Sequence, residues 1–142
     1  MKAVQLFEEA RRLPPKDQPG YISMRLHEAL AGSPISVWRR GESIPGVGRR
    51  MLVGIAPYSL PDLELLDAIK EALKQKPSCE ERVQVFDVLT CASMKDFDEC
   101  IPGIGQVHQT PVVGIWEDGV LVQKASGAKA RQLTLEQYKV RT

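Results

Sequence analysis

Three cysteines, Cys79, Cys91 and Cys100, have the widest chemical reach in this 142-residue chain, because a thiolate is both a nucleophile and a metal ligand. Their odd number argues against a fully paired disulfide framework and agrees with a reducing compartment. Cys91 and Cys100 follow the apolar segment 83–89 and stand nine positions apart. They would form an unconventional redox pair if the chain between them folds back. Cys91, Cys100 and His108 offer three ligand atoms, but their intervals match no familiar zinc site, so no metal and no cofactor is expected. Cys79, beside Pro77 and Ser78, reads as a loop thiol. Ser59 followed by Asp62 reads as a capping box, in which a hydroxyl and an acid satisfy the open amides of a helix start. Neither His27 nor His108 adjoins Ser59 as a base, so a catalytic serine is not expected. The doublets Arg39-Arg40 and Arg49-Arg50 bracket residues 41–48 and could meet an acidic partner, although such doublets are usually solvated loop and strand ends. Gly46-x-Gly48 and Gly103-x-Gly105 lack the strand and helix that a phosphate loop requires and read as turns.

Those residues sit in a chain of ordinary globular composition, 43% hydrophobic and 26% charged, long enough for a single packed domain. Nineteen basic against eighteen acidic residues leave a formal charge of +1, which makes neither nucleic acid nor an anionic membrane an expected partner. The first residues lack the apolar run of a signal peptide, and no stretch approaches the roughly 20 apolar residues of a membrane span. A cytoplasmic location is the resulting expectation.

The elements that must position these groups follow from periodicity. Val4, Leu6, Phe7 and Ala10 recur at helical intervals until Pro14-Pro15, residues 16–20 form a polar break, and Tyr21, Ile22, Met24, Leu26, Ala29 and Leu30 predict a second helix ending at Gly32. Ile35, Val37 and Trp38 predict a short strand, and residues 41–48 an irregular connection. The unbroken apolar run 51–56 predicts a central strand covered on both faces, and Leu63, Leu66, Ile69, Ala72 and Leu73 predict a helix over 61–75. Val83, Val85, Phe86 and Val88 predict the next strand, and residues 94–100 a short helix. Asp118-Gly119 between apolar runs predicts a β-hairpin, and Gly127 precedes a last helix over about 130–138. A parallel strand–helix–strand unit followed by a hairpin and a helix gives an α/β fold with a mixed sheet flanked by helices. Trp38 and Trp116 read as packing residues.

From about Arg50 to Tyr138 this order resembles the thioredoxin superfamily. Thr110-Pro111-Val112-Val113 resembles its cis-proline loop, Asp118-Gly119 its hairpin turn, and Gly127-Ala128 the approach to its last helix. The resemblance implies a thioredoxin-like domain over 50–142, preceded by a helical extension and connecting loop over 1–49. It also aligns Ala56-Pro57-Tyr58 with the approach to the redox motif, so that Ser59-Leu60-Pro61-Asp62 stands where Cys-x-x-Cys would be. Pro61 keeps the motif's proline, Ser59 and Asp62 replace its sulfurs, and the family's buried acid would fall near Val53. Disulfide exchange needs a thiolate to attack and a second thiol to resolve, and a serine hydroxyl does neither near neutral pH. What the resemblance implies is a redox-inactive module that binds a protein or peptide through Tyr58, Ser59, Asp62, Thr110 and Pro111. The alternative enzyme would be an atypical oxidoreductase using Cys91 and Cys100. The helices of 1–49 bury their apolar faces on the same domain or form a homodimer, and with the 39–50 loop they could instead hold an assembly together.

Overall fold

The chain was described from a computed structural model covering residues 1–39, 41–75, 82–91 and 109–139. The expected helix at 94–100, together with Cys79, Cys100 and His108, lies outside the described residues.

Helix α1 spans Ala3–Ala10 and presents Ala3, Leu6 and Ala10 to the core. Lys2, at its N-cap, offers no capping side chain. The open amides of Ala3 and Val4 donate instead to the two carboxylate oxygens of Asp67, at 2.6 and 3.1 Å. That acid belongs to a later helix, so capping and docking of α1 are one interaction. A 3₁₀ turn at Pro15–Asp17 leads into α2, Gln18–Leu30. The polar break expected at 16–20 is therefore shorter than its composition suggests: Pro19 lies in the first turn of α2, where a missing N–H removes no helical hydrogen bond.

Strand β1 is only Ser36–Val37, β2 is Arg49–Ile55, helix α3 is Leu60–Gln75 and β3 is Arg82–Asp87. A 3₁₀ turn, Val88–Thr90, ends β3 at Asp87, two residues before the end of the apolar segment 83–89, and there the Asp87 carboxylate accepts the Leu89 N–H at 2.9 Å. Strands β4, Val112–Glu117, and β5, Val120–Ser126, precede α4, Ala128–Lys139. The hairpin loop is Asp118-Gly119, with φ of 50° and 85°, the paired positive values of a tight turn that matches strand twist.

Among the described residues the strands form one mixed sheet in the order β1-β3-β2-β4-β5. β1, β2 and β3 run parallel, while β4 is antiparallel to β2 and to β5. The pleat divides β2. Met51, Val53 and Ile55 enter a core with Val83, Val85, Val113 and Ile115, against residues of α1, α2, α3 and Ala130 of α4. Leu52 faces the other side with Phe86, Val112, Trp38 and Trp116, and Ile44 of the 41–48 connection packs against that cluster. Both tryptophans are buried packing residues. Among the described residues, no helix is long and apolar enough to cross a membrane.

Candidate functional site

The carboxyl ends of β2 and β3 and the start of β4 meet at one edge of the sheet. Ile55 ends β2 opposite Asp87, the last residue of β3, and Gly54 pairs with Val112, the first residue of β4. This register brings Pro57, Tyr58 and Ser59 to the same edge as Thr110 and Pro111. The Thr110–Pro111 peptide bond is cis. Pro111 is buried, and its carbonyl accepts the Gly127 N–H at 2.8 Å, tying the β4 approach to the turn before α4. Gly127 has φ +64°, and a Cβ there would lie 2.5 Å from Gln109 Oε1. Glycine suits this junction on backbone grounds, since a left-handed φ costs an L side chain about 1–2 kcal/mol.

Helix α3 begins where the chain turns away from β2. The Ser59 carbonyl accepts N–H bonds from Asp62 and Leu63 at 3.1 and 3.2 Å, and the Ser59 N–H donates to Ala56 O at 2.9 Å. Tyr58 is 58% exposed at this turn, and Ser59 and Thr110 are half-buried.

Asp62 differs from the expectation in two respects. It is 1% exposed, so it is not part of the solvent-facing surface. Its Oδ2 accepts the Ala56 N–H at 2.9 Å instead of closing a reciprocal box on Ser59. The reason is local: Ser59 N–H is already committed to Ala56 O, while Ala56 N–H, just past the end of β2, needs an acceptor. Its Oδ1 is buried with no hydrogen-bond partner among the described residues.

Asp87 is the residue sequence reasoning missed. It is 6% exposed, its Oδ2 accepts a hydrogen bond from the Ser23 hydroxyl of α2, and its Oδ1 accepts the Leu89 N–H. Burial pushes its carboxyl above the ordinary aspartate range, opposed by those two hydrogen bonds. The signal was available in the alternation Val83, Val85, Asp87, which points the acid to the core face. Val53, where the resemblance would put a buried acid, is buried and apolar. Asp62 and Asp87 are instead the buried carboxyls flanking the end of β2.

Cys91 is half-buried, its N–H donates to Val88 O at 3.1 Å, and it packs against the cluster containing Trp38, Phe86 and Trp116. Its proposed partner Cys100 lies outside the described residues. Among the described residues, no group of three His, Cys, Asp or Glu side chains could hold a metal ion. In comparisons with known proteins, no family model and no curated sequence matches the chain.

Proposed function

We propose that this chain is a redox-inactive thioredoxin-like protein that binds an extended segment of a protein partner at the edge formed by Tyr58, Ser59 and the Thr110–Pro111 loop. The observation that carries this reading is a cis-proline bond at the head of β4, one strand away from a helix start whose two sulfur positions, by the resemblance, hold Ser59 and Asp62. The element order on which the resemblance rests, a parallel strand–helix–strand unit followed by an antiparallel hairpin and a last helix, is present in the mixed sheet and supports it further.

Physical chemistry favours recognition over catalysis. Tyr58 offers a large, rigid and exposed aromatic surface, the type of side chain that dominates binding energy at interfaces. The Thr110 backbone, at the mouth of β4, suits main-chain pairing with an extended peptide. Ser59 supplies a hydroxyl that hydrogen-bonds but does not exchange disulfides, and Asp62 holds the helix start from behind.

Selection from a displayed random-peptide library, followed by affinity measurement on the native chain, tests the reading. Tyr58→Ala is expected to weaken the selected peptides by tenfold or more, with the unfolding midpoint unchanged. Thr110→Pro, which removes a backbone donor, is expected to weaken extended peptides. Peptides bound equally well by both folded variants would place recognition elsewhere.

A further inference from the structure

The opposite end of the sheet carries an arrangement that the proposed function does not use. Arg50 of β2 and Arg82 of β3 are direct partners in the parallel register, so their side chains leave the same face from strands about 4.8 Å apart. Arg50 is half-buried, and its Nη1 donates to Gln84 Oε1, a neutral acceptor. Gln84 in turn donates through Nε2 to Glu42 Oε2 at 3.3 Å, and that same oxygen accepts the Arg39 N–H at 3.0 Å. One carboxylate, already shared between two donors, is thus the acid set against Arg50. Arg82 is exposed and has no acid within ion-pair distance among the described residues. The neighbouring doublet residue Arg49 is committed elsewhere, to Glu117 at 3.3 Å and to Gln137.

Two like charges side by side, with one acid set against only one of them, favour an anion that joins them. The protonation of Arg50 registers this: burial pulls its pKa down, Arg82 pulls it further down, and only Glu42 opposes them. Val47, three residues before Arg50, is 84% exposed at the same end of the sheet. We propose that Arg50 and Arg82 form a second docking site that takes one carboxylate from an acidic, partly apolar segment of a protein partner, with Val47 as the apolar contact beside it. A guanidinium pair matches the planar carboxylate, with two donors available from each arginine.

The occupant is a protein segment and not a nucleic acid because of the rim. Glu42, Glu117 and Asp118 stand at this same end, with Asp118 accepting the Gly48 N–H at 2.9 Å. A ladder of phosphates would meet those acids on either side of the arginines, whereas a single carboxylate between apolar neighbours would not. The site lies about 20 Å from the Tyr58 edge along β2, since a strand rises about 3.3 Å per residue. It stands or falls independently of the peptide edge.

Fluorescence anisotropy on the full chain tests this, with a dye-labelled Ser-Val-Val-Glu-Val-Val-Ser peptide, its Gln-for-Glu counterpart and a single-stranded DNA 20-mer as probes. The expected result is binding of the acidic peptide in preference to both others, weakened by raised salt. Arg82→Gln, at an exposed position that leaves the melting temperature unchanged, should lower affinity about tenfold, the scale of one charged hydrogen-bonding partner. Lys16→Gln, an equal loss of charge on the exposed 3₁₀ turn, should leave it unchanged. No binding of the acidic peptide, equal binding of the glutamine peptide, an unaltered affinity in Arg82→Gln, or tighter binding of the DNA with the same arginine dependence would each overturn the proposal.

Discussion

Placing sulfur at the Ser59–Asp62 corner is the perturbation that probes its geometry most sharply. In the double variant Ser59→Cys, Asp62→Cys, the two substituted positions are joined by the hydrogen bonds from Asp62 and Leu63 N–H to Ser59 O, which set them one helical turn apart. Side chains at that spacing start about 5–6 Å from each other, a separation that a disulfide spans with modest adjustment. Losing the Asp62 carboxylate leaves the Ala56 N–H without its acceptor, costing about 1–3 kcal/mol, and removes an acid from the first turn of α3, costing about 0.3–1 kcal/mol. Closing a four-residue loop restores about 2 kcal/mol in the chain-entropy treatment. The reduced variant should therefore unfold at lower urea than the native chain, and the oxidised variant should recover most of that loss. Urea titration of both forms, with peptide mapping by mass spectrometry to identify the bond, measures this. Two introduced thiols that stay unpaired under an oxidising glutathione buffer, or an oxidised form no more stable than the reduced one, would refute the inferred corner geometry.

Three further outcomes follow from individual contacts. Asp67→Ala removes the remote cap of α1 and should cost about 1–3 kcal/mol in urea unfolding, whereas an exposed acid such as Glu64 replaced by Ala should cost little. Gly127→Ala forces a left-handed alanine and should lower stability by about 1–2 kcal/mol, read from the same titration. Asp87 titrates higher in the folded chain than in the unfolded one, so between the two values the native state holds more protons and stability falls as pH rises through that window. Asp87→Asn should remove this part of the slope, and a wild-type and variant pair with parallel stability curves from pH 4 to pH 8 would contradict it.

Much of the scaffold was legible because it is encoded locally. The unbroken apolar run after Arg50 marks a strand covered on both faces, and Asp118-Gly119 is a turn whose positive φ values those residues tolerate. The i, i+3 and i+4 spacing of Leu63, Leu66 and Ile69 likewise marks the buried stripe of α3. What escaped depends on partners distant in sequence. Nothing near Lys2 indicates that Asp67, more than sixty residues away, caps α1. Asp62 matched a capping box by spacing alone, yet the competing need of Ala56 N–H turned it inward. Asp87 carries no motif that singles it out, and only its parity with Val83 and Val85 points it inward. The Arg49-Arg50 doublet shows the same limit, since adjacent residues on a strand face opposite sides: Arg49 reaches Glu117 and Gln137, while Arg50 joins Gln84 beside Arg82.

The central claim is recognition without electron exchange, and the measurement that meets it most directly is turnover of a disulfide substrate by the native chain. Insulin reduction with dithiothreitol, followed by turbidity, is expected to proceed at the rate seen with no protein added. Acceleration that scales with protein concentration and disappears in Cys91→Ser would contradict the account and return the chain to the enzymes.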